Sequence, residues 1–327
     1  MNYIVLDLEW NQSPSGKIYS NKSLPFEIIE IGAVKLNSCF KEIGRFNELI
    51  KPRVYKNINH IIGNIIHIEE AELKNARSFK EVMDSFLEFC GSNYIFCTWG
   101  NLDLLELQRN MKYFGLKPLS KGPICYIDVQ KIFALQTEGK KHQHTLEYAV
   151  DYFKIKKDIS FHRAFSDAYY TAKVLRMIKR KNRKKLSFDT YCIPESKKEE
   201  VHIVFDSYYK YISRGFGSKT EAMHDEEVSY CGCYLCKRKT TEVIPWFSNN
   251  SKHYYCVSQC KKHGFIKCKN RIRKSESGKI YVVKTMKKIS EEEKDILMEK
   301  YRKNLISSLP ETSTSEIPNS SSDYQES

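Results

Sequence analysis

Four carboxylates and one histidine have types and spacings suited to joint chemistry. They are Asp7 and Glu9 in VLDLEWN, Asp103 in TWGNLDLLEL, and Asp167 five residues after His162 in FHRAFSDA. Side chains alternate along a strand, so Val5, Asp7 and Glu9 share one face, the two acids about 7 Å apart at Cα. Ile4, Val5 and Leu6 form an unbroken apolar run, as in a strand buried on both faces. Two carboxylates at the end of such a strand repel each other, and a divalent cation between them reverses the sign. Oxygen-only ligands suit Mg²⁺ or Mn²⁺ rather than zinc. Each piece also has an ordinary reading: solvated acids at a strand end, a first-turn Asp103, and a common helix start at 162–167. Positions five apart on a helix differ by about 140°. His162 is therefore expected on the loop before a helix that carries Asp167.

A second constellation is CGCYLCKRK…YYCVSQCKKHG. Of the eleven cysteines, Cys231, Cys233, Cys236, Cys256, Cys260 and Cys268 crowd into residues 231–268. In a chain expected to be cytoplasmic, such a cluster points to metal rather than disulfides. Cys233-x2-Cys236 and Cys260-x2-His263 make two knuckles, enough for one tetrahedral structural Zn²⁺ in a zinc-ribbon-like site. Cys231 and Cys256 lie close by, and Cys233, Cys236, Cys256 and Cys260 form the alternative set. The following FIKCKNRIRKSESGKIYVVKTMKK reads as a hairpin around Ser277-Gly278. Lys269, Arg271 and Arg273 alternate on one strand, and Lys279 and Lys284 lie on the other. Such a row suits a phosphate backbone, with Tyr281 or Phe265 to stack on bases; a solvated strand face is the plainer alternative.

The elements that must position these groups are legible in outline. Strands are expected at Ile4–Leu8, Ile28–Leu36, Arg45–Ile50, Tyr94–Thr98 and Ile124–Val129. Helices are expected at Phe79–Cys90, Leu102–Phe114 with Asn101 as cap, Leu146–Phe153 and Phe165–Lys179. Three early strands followed by alternating helices and strands predict a mixed α/β sheet covered by helices. Val201–Arg214 is expected as a helix with aromatic anchors, Gly215–Ser218 as a flexible joint, and Glu291–Leu305 as a charged helix. The Ser/Thr/Pro-rich stretch from Ser307 is expected to be disordered. The expected domains are 1–186, a connecting segment 187–228, a zinc-binding β-rich module with the basic hairpin at 229–290, and a helix and tail at 291–327.

At 327 residues and 41% hydrophobic, the chain can build two cores. No apolar run reaches the length of a membrane span. Met1 leads at once into a strand-like run, with no basic leader, so a cytoplasmic protein is expected. The formal charge of +14 suggests a polyanionic partner.

In their order along the chain, DLE, the Asp103 strand-to-helix step and H-x4-D resemble the DEDDh group of 3′→5′ exonucleases. Supporting stretches are EIIEIGAVKL (27–36), TWGNLD (98–103) and HRAFSDAYYTAKVL (162–175), so the resemblance covers about residues 1–180. It implies a ribonuclease H-like fold and a two-metal-ion hydrolysis of single-stranded RNA or DNA from the 3′ end, releasing 5′-mononucleotides. It implies Asp7, Glu9, Asp103 and Asp167 as the acids that hold two Mg²⁺ or Mn²⁺ ions, and His162 as general base. Asp7 would bridge both ions, Glu9 and Asp167 would complete the site of the attacking water, and Asp103 would act on the second ion. Leu8 and Trp10 either pack on the terminal nucleotide or cover the sheet end. The alternative is a non-catalytic nucleic-acid-binding protein that keeps the nuclease fold; the complete acid set argues against it.

Overall fold

A computed structural model describes residues 1–59, 62–63, 68–137, 143–183, 185–205, 207–248 and 250–307. The tail beyond Ser307 lies outside the described residues. The chain divides into two compact units, residues 1–194 and 195–327.

The first unit is a six-stranded mixed sheet. Its strands are β1 (Asn2–Asn11), β2 (Glu27–Leu36), β3 (Glu42–Leu49), β4 (Tyr94–Thr98), β5 (Ile124–Asp128) and β6 (Ser187–Asp189), in the order β3-β2-β1-β4-β5-β6. β1 runs antiparallel to β2 and parallel to β4, and β2–β3 and β5–β6 are also antiparallel. Helices α1 (Phe79–Cys90), α2 (Leu102–Tyr113), α3 (Val129–Thr137), α4 (Leu146–Tyr152) and α5 (Ala164–Met177) flank it. The architecture is ribonuclease H-like.

Central β1 is buried on both sides, with Ile4, Val5 and Leu6 fully shielded. Ile4, Leu6 and Leu8 pack against Phe79, Phe86 and Leu104 on one face, and Val5 joins Tyr170, Val174 and Leu175 of α5 on the other. α1 forms because Phe79, Val82, Met83 and Phe86 recur at helical spacing and Ser78 and Glu81 make a reciprocal capping box. Gly91 ends it at φ +75, a conformation a side chain disfavours. Truncating the fully buried Phe86 to Ala should cost about 3–5 kcal/mol. Asn101 stands at the start of α2, but its side chain makes no capping bond, contrary to expectation.

The second unit is an antiparallel sheet of β7 (Val201–Phe205), β8 (Tyr208–Ile212), β9 (Thr241–Phe247), β10 (His253–Cys260), β11 (Gly264–Lys274) and β12 (Ile280–Lys288). Its order is β7-β8-β12-β11-β10-β9. Val201–Arg214 is therefore a hairpin, not a helix: Val201 pairs with Ile212 and Phe205 with Tyr208. Nor is 187–228 a mere connector, since it supplies β6 to the first sheet and β7 and β8 to the second. The expected joint at 215–218 is fixed, with Phe216 buried and bridged to Ile280. One sheet face packs Tyr209, Tyr211, Ile266 and Val282 with Phe216, Ala222 and Val228. The other packs Ile244, Phe247 and Val257 with Leu297 of α6 (Glu291–Ser307). No helix among the described residues is long and apolar enough to cross a membrane.

Candidate active site

Ligand atoms of Asp7, Glu9 and Asp167 lie within 4.8 Å of one another. Asp103, only 6% exposed, lines the same cleft of about 430 Å³. Three elements converge to make this. β1 carries Asp7 and Glu9 on one face, toward α5. α2 begins directly after β4, so its first turn holds Asp103 beside the end of β1. Asp167 sits in the first turn of α5. His162 precedes that helix, exposed and at φ +64, an uncommon backbone state for a non-glycine residue.

Two residues outside the acid set bring α5 into place. Gly32 pairs with Asp7 across the strands, and a Cβ on it would meet the backbone of Ala164 and Phe165 at about 2 Å. The helix thus rests directly on the bare strand. Glu30, fully buried, accepts from Arg163 at 2.8 and 3.0 Å and from the Ala164 N–H at 3.2 Å. It caps α5 and moors the residue next to His162. The sequence reading gave Glu30 and Arg163 no role; the signal was the two acids, Glu27 and Glu30, in the otherwise apolar run EIIEIGAV.

The acids are electrostatically frustrated. Burial raises Asp7 well above the ordinary carboxylate range, and Asp103, Asp167, Glu9 and Glu30 raise it further. Glu9 is pushed up to about 8 by burial, then by Asp167, Glu30 and Asp103, with Arg163 opposing. Asp103 is pushed up to about 7, chiefly by burial, against the backbone N–H groups of Asp103 and Leu8. Asp167 is pushed up to about 6, again by burial first, against the His162 N–H and charge. Oδ1 of Asp167 is buried without a hydrogen-bond partner among the described residues. Crowded hard oxygens and an orphaned carboxylate oxygen are what a divalent cation would satisfy, so the residues fit one.

Leu8 is 4% exposed and belongs to the core, bordering the cleft only by its edge. Trp10 is half-buried, follows a bulge in β1 that re-aims it, tilts on Phe26 at 5.7 Å and borders the cleft. Trp99, Gln130 and Gln143 also line it and were not anticipated.

In the second unit, ligand atoms of Cys233, Cys236, Cys260 and His263 also gather within 4.8 Å. Cys233 Sγ lies 3.3 Å from His263 Nδ1, and Cys236 Sγ 3.7 Å from Cys260 Sγ. Burial raises Cys260, but the N–H groups of His263 and Lys262 outweigh it and bring the thiol down to about 6. Three sulfurs and one imidazole fit a tetrahedral Zn²⁺. Cys256 is not in this set. It lies with Cys231 and Cys268, which are joined by a disulfide, so the expectation of metal rather than disulfides is corrected for that pair.

Lys267, Lys269, Arg271 and Arg273 fall on alternate positions of β11, sharing one face. Burial and then neighbouring cations push Lys267 and Lys269 down. Arg271, Arg273 and Lys279 are exposed. Lys284 does not join them: it is fully buried, donates to the carbonyls of Glu227 and Tyr230, and is lowered to about 8 by burial. Tyr281 is 3% exposed and Phe265 packs with the α6 cluster, so neither presents a free ring face as expected. Half-buried Tyr255, across from Lys269, is the aromatic among the cations.

The sequence profile of an exonuclease family, RNase_T, matches residues 4–175. The PolC-type DNA polymerase III of Caldanaerobacter subterraneus subsp. tengcongensis is 28% identical over 152 residues, 45% of this chain and 10% of the polymerase. The chain thus spans about a tenth of that relative. Among solved structures, it is similar to the nuclease domain of 3′hExo, described as a DEDDh family member bound to rAMP. That match has 17% identity, 58% of this chain, 96% of that one and a TM-score of 0.48. It is also similar to E. coli Exonuclease I in complex with a dA16 oligonucleotide, at 16% identity, 56% of this chain, 41% of that one and a TM-score of 0.43.

Proposed function

This chain belongs to the exonuclease family, and on that premise we propose that it is a metal-dependent 3′→5′ exonuclease of the DEDDh type. Its proposed reaction hydrolyses the last phosphodiester of a single-stranded nucleic acid and releases a 5′-mononucleotide. The observation that carries the reading is the gathering of Asp7, Glu9 and Asp167 within 4.8 Å, in one cleft with Asp103. Two Mg²⁺ or Mn²⁺ ions held by these four acids would supply charge neutralisation and Lewis-acid activation.

In this reading Asp7 and Glu9, fixed by β1, and Asp167, fixed by α5, would hold the cations, and Asp103 would complete the set. His162 takes the proton of the attacking water on an unprotonated ring nitrogen. The new P–O bond forms as the bond to the leaving 3′-oxygen breaks. Trp10, with the edge of Leu8, covers the terminal nucleotide. Cys233, Cys236, Cys260 and His263 would hold one structural Zn²⁺, tying the strands of the second unit together. There Arg271, Arg273 and Lys279 contact phosphates.

The test is trimming of a 3′-labelled oligonucleotide, as matched RNA and DNA, with Mg²⁺, Mn²⁺ or EDTA. Release of labelled mononucleotide, abolished by EDTA and by Asp7→Asn, is expected. Undiminished release by folded Asp7→Asn would remove the assignment, and binding without release by the wild type would favour the non-catalytic reading.

A further inference from the structure

The second unit gathers sulfur at a second place besides the tetrad. Cys256 on β10, Cys268 on β11 and Met286 on β12 are partners in register across three adjacent strands. Residues directly opposite one another project to the same face, with Cβ atoms about 4.5–5.5 Å apart. The three therefore make one row of sulfur side chains. Cys231 joins the row from the loop after the short helix Glu226–Ser229. The Sγ atoms of Cys231, Cys256 and Cys268 lie within 4.8 Å of one another. Cys256, Cys268 and Met286 are buried in one core cluster, and Cys231 packs against it, half-buried.

A buried cation stands beside this row. Lys284 is fully shielded, and its ammonium donates to the carbonyls of Glu227 and of Tyr230, the residue before Cys231. The charges that favour the ammonium are Glu227, then Cys256 and Asp225. Burial holds the Cys256 thiol far above its usual range, and Lys284 opposes that. A buried ammonium facing thiols suits a cluster that becomes anionic.

Two of the thiols are joined here as the Cys231–Cys268 disulfide, and Cys256 is free. A dithiol reductant opens the bond: two electrons pass to the sulfurs, two thiols form, and the reductant closes to its own disulfide. The three positions do not depend on the bond. Strand pairing holds Cys256 opposite Cys268. The Cys231 carbonyl accepts from the hydroxyls of Ser258 and Thr240, each at 2.8 Å.

We propose that in the reduced chain Cys231, Cys256 and Cys268 bind one soft metal ion of the copper(I) class, with Met286 as an adjoining thioether donor. This goes beyond the exonuclease reading and does not depend on it. Thiolates and a thioether, with no imidazole or carboxylate, select the softest ions. Structural zinc takes four ligands drawn from Cys, His and carboxylate, which the tetrad offers and this trio does not. Disulfide and ion exclude each other, because both need the sulfurs of Cys231 and Cys268. The site therefore fills only under reducing conditions, and filling it releases thiol protons.

The test uses the full chain loaded with zinc, reduced with dithiothreitol, desalted and kept under nitrogen. Copper(I) is presented as its bicinchoninate complex, while copper uptake and zinc release are both followed. The reduced wild type should take up one equivalent of copper without releasing zinc, and the oxidised wild type none. Cys256→Ser should lose more than the roughly 10- to 100-fold in affinity that removing a ligand's supporting partner costs. Met286→Leu, which conserves volume, should bind several-fold more weakly and covers the case that Cys256→Ser does not fold. Copper K-edge absorption should show sulfur neighbours alone, since only the tetrad contains an imidazole. The site is overturned by no uptake in the reduced wild type, by uptake matched with zinc release, by nitrogen bound to the copper, or by undiminished uptake in both variants.

Discussion

The acidic cleft of the first unit and the cysteine cluster of the second gather the same number of ligands in opposite ways. Asp7, Glu9, Asp103 and Asp167 are hard, like-charged and open to a cleft, and each is driven toward protonation by burial and by its neighbours. Cys233, Cys236, Cys260 and His263 form a closed set, with Cys260 already poised toward thiolate. A crowded open set leaves room for substrate at a cation. A closed soft set leaves none and serves the fold. The contrast assigns chemistry to one unit and stability to the other, and it can be broken experimentally.

The largest expected effect is on the second unit. Cys260→Ser should abolish its cooperative folding, since structural zinc carries on the order of 10 kcal/mol in small domains. Hydrogen exchange would show loss of protection in β9–β12 while β1–β5 stay protected. Equal loss in both would show that the units are not energetically separate. Next, Asp7→Asn should reduce trimming by about a thousandfold or more with no loss of protection in either unit.

A third, smaller effect sharpens the electrostatic side. Glu9, Asp103 and Asp167 sit at about 8, 7 and 6, above the ordinary carboxylate values. The metal-free folded protein therefore holds protons that the unfolded chain has released. Their contribution to stability is full below about pH 4 and is lost as pH rises through 6 to 8. Tm without metal should fall across that window, and added Mg²⁺ should raise it most at pH 8. Calorimetry with and without EDTA checks this, and Asp103→Asn should flatten the fall. Last, Arg271→Ala with Arg273→Ala should weaken oligonucleotide binding several-fold. The salt slope should drop by about 0.7 per lost phosphate contact. An unchanged slope would leave the basic face of β11 as solvated surface.

The acid site was legible because each of its members is announced locally. An apolar strand ending in acids, a strand-to-helix step and a helix start are short-range patterns, and α1 showed its 3.6-residue period outright. What was missed depends on distant partners. VHIVFDSYYKYIS carries apolar and aromatic residues at spacings that suit either period, and only the pairing of Val201 with Ile212 and Phe205 with Tyr208 decides for the strand period. Lys284 reads as one more surface cation, and only the Glu227 and Tyr230 carbonyls, more than fifty residues earlier in the chain, make its burial tolerable. Among the cysteines, spacing proposed the knuckles, but only the register of β10 against β11, with Cys256 opposite Cys268, separates the bonded group from the tetrad.

The buried Glu30–Arg163 clamp sets how His162 can move. With its successor moored to the sheet and α5 seated on Gly32, the helix-side end of the loop is anchored. That anchor favours approach of the imidazole to the cleft by rotation about its own side-chain bonds. In the proposed role as base, His162 would work like an oar in a fixed rowlock: its reach set by the sheet, only its stroke by the substrate.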